Sequence, residues 1–171
     1  MSNEIVKSDL TNITHFKKIA EEKMIAFGLD NVQVMKEISF ALQHLDKNKS
    51  LQNCTPESKL KSVVNIASIG LTLNPVAKEA YLVPRWNSTI KGMECCLEPS
   101  YIGLVKLLTD TGSIESIICQ IVYRNDKFSF NIADSANPIS HSPTLVKAER
   151  GEMLGAYALA TLPNGKKQAE W

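Results

Sequence analysis

The hydrophobic period of the chain changes near residue 70, and this change limits the folds that the sequence can adopt. Before it, apolar residues recur at helical spacing, as in the stripe formed by Met35, Ile38, Leu42 and Leu45. After it, the run AYLVPRW alternates in the manner of a half-buried strand. Helical segments that come first, followed by strand segments, favour an α+β fold over alternating βαβ units.

Capping signals divide the first part of the chain into three predicted helices. The first covers about residues 11–27, after a frayed terminus at residues 1–10, and Gly28 ends it. Asp30 and Gln33 have the spacing of a capping box and open the second helix. Thr55-Pro56 opens the third, since a capping hydroxyl precedes a proline at the first helical position, and Gly70 ends it.

The second part of the chain is predicted to be a hairpin, a helix and further antiparallel strands. Strands near 80–85 and 93–98 flank a polar tip, and a helix opens at Pro99 and closes at Gly112. The later segments are two strands around a turn at Asn125-Asp126, a connector ADSANPISHSP, and a hairpin whose turn is Pro163-Asn164-Gly165.

Composition indicates one globular domain over residues 1–171, with a helical part at 1–70 and the hairpin, helix and strands at 71–171. The chain is 44% hydrophobic and 22% charged, which is enough apolar material for a core. Its formal net charge is only +1, whereas proteins that hold nucleic acid by overall charge are usually more basic. A polyanion would therefore have to bind in a local groove.

The sequence predicts a cytoplasmic protein with reduced cysteines and no metal. No apolar run reaches membrane-spanning length, and the first 25 residues are too polar for a signal peptide. Cys54, Cys95, Cys96 and Cys119 contain no CxxC pair, so zinc is not expected. If Cys95 and Cys96 lie on a strand, they point to opposite faces.

Motifs for nucleotide cofactors and for catalysis are missing from the sequence. It has neither a GxxxxGK[ST] phosphate loop nor a GxGxxG fingerprint, so no cofactor is expected. One enzymatic alternative stays open, a hydrolase in which Cys95 or Cys96 pairs with His141, although no local signature supports it. Nothing in these residues demands an enzyme.

The stretch LTLNPVAKEAYLVPRW poses the sharpest question about function. It places an Asn-Pro turn before a strand that ends in Arg85 and Trp86. In one interpretation the two residues only build a hairpin tip or a subunit contact. In the other they touch a ligand that has negative charge and flat faces.

Five segments in order resemble the RecT-type single-strand annealing proteins of phages, the group that includes Red-beta. They are the Gly-Leu-x-x-Asn-Pro turn, the Tyr-x-x-Pro strand, the Tyr-x-Gly helix start, the Val-Tyr-x-x-Asp-x-Phe turn, and the Arg-Gly-Glu-x-x-Gly-Ala-Tyr-Ala strand. The resemblance runs from about Asp30 to Trp171. One departure is Ile102, where the family commonly has a basic or polar residue.

The resemblance implies ATP-independent binding of single-stranded DNA and annealing of complementary strands in phage-type recombination. It also implies a homo-oligomeric ring or helical filament, an annealed duplex intermediate, a 5′-to-3′ exonuclease partner and the host single-strand binding protein. The family continues past the position of Trp171 into a basic helix and a partner-binding tail, so the chain is expected to be the front part of such a protein. A phage structural or assembly protein that uses the hairpins for subunit contacts is the alternative.

Annealing requires phosphates to be held while base edges stay free, which cations and aromatic platforms along a groove can do without sequence preference. The DNA-binding residues predicted on this basis lie on or near the first hairpin and the helix after it: Lys78, Arg85, Trp86, Lys91, Tyr101, Lys106 and Arg124.

Overall fold

The computed structural model describes residues 12–171, and the predicted frayed terminus lies outside this range. Five α-helices in the described range are Ile13–Ala26 (α1), Asn31–Lys47 (α2), Lys49–Gln52 (α3), Pro56–Ile69 (α4) and Tyr101–Asp110 (α5). Seven strands are Ala80–Asn87 (β1), Gly92–Pro99 (β2), Ser116–Tyr123 (β3), Lys127–Phe130 (β4), Ile139–Ser142 (β5), Met153–Thr161 (β6) and Lys167–Glu170 (β7). The α+β prediction is confirmed.

The chain forms two compact units, one ending at Leu107 and the other running from Leu108 to Trp171. In the first, α1, α2 and α4 pack around Met24, Val34 and Ile66, each less than 2% exposed. Burying an apolar side chain of this size contributes about 1.5–3 kcal/mol. The hairpin β1-β2 adds Leu82 and Cys95 to the same core.

The helix boundaries follow the local capping chemistry that the sequence predicted. The Asp30 side chain accepts a hydrogen bond from Gln33 N while the Gln33 side chain accepts one from Asp30 N, which completes the capping box. Thr55 caps α4, and Gly70 ends it with a φ of 70°.

The prediction that Pro99 opens a helix is wrong. Pro99 is the last residue of β2, opposite Ala80, and α5 starts at Tyr101. Ser100 Oγ accepts hydrogen bonds from Ile102 N and Gly103 N at 3.1 and 3.2 Å. A serine hydroxyl therefore supplies the start signal, and the proline completes the strand before it.

The second unit contains a three-stranded antiparallel sheet of order β3-β6-β7 and a separate ribbon β4-β5. The hairpin β6-β7 forms at Asn164-Gly165 as predicted, and Gly165 has a φ of 77°. The connector is not structureless, because β5 lies within it and pairs with β4. As a result β3 and β4, neighbours in sequence, do not pair with each other.

Candidate nucleic-acid interface

The carboxylates of Glu37 and Glu79 hold the turn that leads into β1. Glu37 on α2 is only 8% exposed and accepts hydrogen bonds from Leu73 N at 2.8 Å and from the Thr72 hydroxyl. Glu79 accepts one from Thr72 N at 3.1 Å, and His44 Nε2 donates to Leu73 O at 3.0 Å. These bonds satisfy backbone groups that the turn would otherwise bury unpaired.

The same turn places Lys78 in an unusual backbone conformation. Asn74 O accepts from Lys78 N at 3.1 Å, and Lys78 O accepts from Ser100 Oγ at 2.5 Å. Lys78 has a φ of 56°, a region that side chains other than glycine, asparagine and aspartate seldom adopt. The side chain of Lys78 is exposed beside the start of α5.

The outer face of the β1-β2 hairpin is not a simple basic surface. Alternation places Arg85 on the face opposite to Leu82, and Glu94 lies directly across from Arg85 in the register. The Arg85 guanidinium, 62% exposed, pairs with the carboxylate of Glu98. This face of the hairpin therefore carries two carboxylates and one arginine, and the arginine is already paired.

Trp86 and Lys91 occupy the tip of the hairpin. Trp86 lies opposite Met93 and points to the other face from Arg85, with 65% of its surface exposed. Lys91, in the turn at the tip, is exposed and has a φ of 50°. Within residues 12–171 no ion pair involves Lys91 or Lys78.

Tyr101 and Lys106 lie on α5 at the other end of the hairpin. Tyr101 is 77% exposed, and Leu104 and Leu108 follow it at the spacing of one helix face, both also exposed. Lys106, five residues after Tyr101, lies on a different side of α5. It lines a cleft of about 420 Å³ together with Glu37 and Glu79.

Gly103 is needed for this arrangement because α5 passes very close to the backbone that precedes β1. A Cβ atom added at Gly103 would overlap the carbonyl oxygen of Glu79. The Tyr-x-Gly motif thus places an exposed aromatic two residues before a glycine that fixes the helix against Glu79.

Arg124 lies in the second unit, at the turn between β3 and β4, where its guanidinium pairs with Glu152. Both partners are 63% exposed. An exposed pair of this kind contributes about 0–1 kcal/mol, so it can be exchanged for a phosphate at little cost.

Asp126, rather than Arg124, is the central residue of this turn. Its side chain is fully buried and accepts from Arg150 Nη2 at 2.6 Å, from Thr144 N at 2.8 Å and from Tyr123 N at 3.0 Å. The hydrogen bond from Arg150 is the largest cause that holds the pKa of Asp126 well below its ordinary value. His141 Nε2 adds a contact at 3.2 Å.

An aromatic cluster lies next to Asp126. The Phe128 ring stacks on Trp171 at 4.5 Å and on Tyr157 at 5.8 Å between centroids, and His141 meets both Phe128 and Tyr157 edge-on. An added Cβ at Gly155 would meet the Trp171 ring at 3.0 Å. The last two sequence motifs of the chain therefore supply structural contacts within the second unit.

The thiols and histidines give the hydrolase interpretation no support. Burial raises the pKa of the Cys95 thiol to about 11, so at neutral pH it is not a thiolate. His141 bonds to Asp126 and Tyr157 within the second unit. Cys95 is buried and Cys96 partly exposed, as their predicted opposite faces require. In the described part of the chain, no cluster of three or more His, Cys, Asp or Glu side chains could hold a metal ion.

The structure separates the predicted site residues into three groups. Within the first unit, Arg85, Trp86 and Lys91 lie at the hairpin tip, Lys78 and Tyr101 lie at its base, and Lys106 follows Tyr101 on α5. Arg124 belongs to the second unit, where it follows the end of β3. A strand of this length spans roughly 25 Å at about 3.3 Å per residue, so the tip and the base are separate sites.

Sequence reasoning missed two features of this surface. One is Glu98, which binds Arg85; its opposite charge on the facing strand was a signal, but the pairing depends on the register. The other is Leu104 with Leu108, whose spacing of three and seven residues from Tyr101 marks an apolar helix face.

No helix among residues 12–171 has the length and apolar character needed to cross a membrane.

Comparison with known proteins gives two matches. The chain is 29% identical over 152 residues to Protein RecT of Escherichia coli (strain K12), an alignment that covers 88% of this chain and 55% of that protein. The chain thus spans about half the length of this curated relative. A model of the RecT family matches residues 35–171, which include all seven predicted site residues. The chain therefore belongs to the RecT family.

Proposed function

We propose that the chain binds single-stranded DNA and anneals complementary strands without ATP. The observation that carries this proposal is membership of the RecT family over residues 35–171, which favours recombination by strand annealing in general. The exposed cations and aromatics of the hairpin support the proposal that this element contacts the DNA.

At the hairpin tip, Trp86 provides the stacking surface and Lys91 the charge. An indole that is 65% exposed can accept a base on its face, and every base has such a face whatever its sequence. Arg85, on the other face of the ribbon, joins the contact by leaving Glu98 for a phosphate.

At the base of the hairpin, Lys78 and Tyr101 form the second contact. Ser100 joins them, since its hydroxyl binds the backbone of Lys78 and caps the helix that starts at Tyr101. The exposed Leu104 beside Tyr101 extends the flat apolar surface. Lys106 on α5 and Arg124 in the second unit are each proposed to contribute positive charge to DNA binding.

The protein works as a homo-oligomer, a ring or a helical filament, and holds the annealed duplex as an intermediate. A net charge of +1 per chain favours this arrangement, because many weak contacts along one strand add up only when copies assemble. The proposed setting is the cytoplasm of a bacterial host or phage-infected cell, beside a 5′-to-3′ exonuclease and the host single-strand binding protein.

The second candidate is a phage structural or assembly protein whose hairpins make subunit contacts. The observation in its favour is that Ile90, 47% exposed, joins Trp86 as an apolar residue at the hairpin tip.

The two candidates separate in a binding experiment with a labelled oligonucleotide, then its complement, in buffer without nucleotide. We expect binding that is indifferent to sequence, with log affinity falling against log salt by about 0.7 for each phosphate contact. We also expect the second strand to anneal faster than it does without protein. Affinity that does not change with salt, or a marked preference for one sequence, would contradict the proposal.

Lys17→Ala serves as the matched control, since it removes one exposed lysine from α1 rather than from the hairpin. It should leave the salt slope unchanged, whereas Lys91→Ala should lower it by one contact.

A further inference from the structure

The two carboxylates on the outer face of the β1-β2 hairpin differ in what they bind. Glu98 pairs with the guanidinium of Arg85. Glu94 lies directly opposite Arg85 in the register, yet no ion pair among residues 12–171 involves it. Residues directly opposed in a ladder have Cβ atoms about 4.5–5.5 Å apart, and opposite charges there attract each other. The nearer carboxylate therefore leaves the arginine unbound, whereas the more distant one holds it.

Asn87 accounts for this difference. It is the last residue of β1 and lies on the same face as Arg85. Its Nδ2 donates to Glu94 Oε2 at 2.7 Å, a short distance typical of a hydrogen bond to an ionised acceptor. Asn87 lies towards the tip of the hairpin and Glu98 towards its base. The two bonds thus run in opposite directions along the ribbon and draw Glu94 away from Arg85.

A second hydrogen bond fixes the orientation of the Asn87 amide. Its Oδ1 accepts from Thr89 N at 2.8 Å, which makes an Asx turn at the hairpin tip. A reversed amide would place its oxygen against the Glu94 carboxylate and its N–H groups against the N–H of Thr89, so the reversed orientation is excluded. Asn87 and Glu94 are both half-buried, which limits competition from water. Neither alanine nor aspartate could make both bonds.

We propose that Asn87 is a positioning residue of the DNA-binding hairpin. By holding Glu94 it keeps one of two carboxylates off Arg85, so the guanidinium has only Glu98 to exchange for a phosphate. An exposed pair with a single carboxylate is weak enough to exchange, but a second carboxylate across the ladder would add its own attraction. This inference rests on the proposed function, of which the contact between Arg85 and phosphate is part. Asn87 itself needs no contact with DNA.

Asn87→Ala tests the proposal, because it releases Glu94 to pair with Arg85. Binding of a labelled oligonucleotide should weaken severalfold at low salt, and the salt slope should fall by about 0.7, as it should in Arg85→Ala. In the Asn87→Ala/Glu94→Gln protein the side chain at position 94 is neutral and no longer holds Arg85. Affinity and slope should then return to the values of Glu94→Gln alone. A role of Asn87 in the turn only would not be rescued by a change at Glu94.

Asn164→Ala is the matched control. Asn164 Oδ1 accepts from Lys166 N at 3.0 Å at the tip of the β6-β7 hairpin, which is the same bond over two residues that Asn87 makes with Thr89. Its loss should leave the salt slope unchanged. Unfolding midpoints establish that each variant is folded. The Arg85→Ala/Asn87→Ala protein should bind no more weakly than Arg85→Ala, since Asn87 acts through Arg85.

The outcomes separate this inference from the proposed function. A parental salt slope in Asn87→Ala, or a loss of affinity that Glu94→Gln does not restore, would overturn the role of Asn87. A parent protein that binds and anneals while Arg85→Ala behaves like it at every salt concentration would also overturn that role and leave the proposed function standing. A parent protein that does not bind single strands would reject both.

Discussion

Two lysines that the sequence assigned to DNA binding also have strained backbones. Within residues 12–171, Lys78 and Lys91 are the non-glycine residues with a positive φ. An L-residue pays about 1–2 kcal/mol for a left-handed conformation that glycine adopts freely. A lysine at such a position is explained if its side chain contributes something that glycine cannot, and phosphate binding is our proposal for it.

Replacing Lys78 by glycine should therefore stabilise the fold and weaken DNA binding at once. Removing the strain stabilises the folded state, while the greater chain entropy of glycine stabilises the unfolded state. The net effect should be a rise of up to about 1 kcal/mol in the free energy of unfolding. The salt slope should fall by about 0.7 because one phosphate contact is lost. Lys78→Ala is the control, since it removes the same charge without relieving the strain. Chemical denaturation and salt-dependent binding measure the two effects; unchanged binding by both variants would remove Lys78 from the site.

The Arg85–Glu98 pair makes a second prediction at this scale. If Glu98 competes with phosphate for the guanidinium, Glu98→Gln should tighten single-strand binding and increase the salt slope. The gain should vanish in the Arg85→Ala/Glu98→Gln double variant, as a double-mutant cycle of binding free energies would reveal. A gain of equal size without Arg85 would mean that Glu98 acts through general repulsion.

At the scale of elements, buried charge rather than apolar area organises the turn between β3 and β4. Asp126 accepts hydrogen bonds from β3, from the segment after β5 and from Arg150, which also lies 4.1 Å above the Tyr123 ring. A buried carboxylate with this many donors is costly to disturb, because removing it leaves the arginine unpaired. The second unit has few large buried apolar side chains, chiefly Ile114, Val122 and Tyr157, so it depends on this network.

Asp126→Asn should lower the thermal midpoint of the second unit. It should also make the stability of that unit less sensitive to acid pH. The pKa of Asp126 is lower in the folded state than in the unfolded state. Its stabilisation is therefore complete above the unfolded-state pKa of about 3.9 and is lost as pH falls through the folded-state pKa. Hydrogen exchange at the amides of Tyr123 and Thr144, followed from neutral to acid pH, should accelerate in the variant even at neutral pH. Protection equal to the parent would show that the network is dispensable.

Gly103→Ala tests the packing of α5 against the backbone before β1. The added methyl would overlap the Glu79 carbonyl, and relieving such an overlap costs roughly 1–3 kcal/mol of stability. Gly92→Ala is the matched control, since its Cβ would find its nearest contact at 3.8 Å. The two free energies of unfolding from denaturant titration should differ by that amount; equal values would mean that the helix can shift away.

For the whole molecule, a chain of net charge +1 has little long-range attraction for DNA. Affinity must therefore come from local contacts, which each subunit of an assembly repeats along the strand. Self-association and DNA binding are then coupled. An exposed aromatic such as Trp86 could act in either one.

Trp86→Ala distinguishes these two roles. If a base stacks on the indole, binding should weaken by roughly 1–3 kcal/mol with little change in salt slope. Sedimentation without DNA should then match the parent. If Trp86 packs between subunits, assembly is lost first and affinity falls only as a consequence. A variant that assembles and binds like the parent would exclude Trp86 from both surfaces.

The sequence by itself determined the local elements of this protein. Capping at Asp30 and Thr55, the stop at Gly70, and the turn at Asn164-Gly165 were all predictable, because each depends on residues within about four positions of one another. The change of hydrophobic period gave the α+β order for the same reason. The sequence also identified the cations and aromatics that are candidates for DNA binding, since charge and ring type are properties of single residues.

Tertiary structure alone decided which of these residues meet. The pairing of β3 with β6 joins strands about thirty residues apart, and no local period encodes such a choice. The partners of Arg85 and Arg124 are carboxylates 13 and 28 residues away, brought close by strand register and by a long loop. Burial of Glu37 and Asp126 likewise depends on surfaces that form only when the units fold. A sequence specifies which side chains can bind a phosphate, and the fold specifies which of them are already bound to a carboxylate.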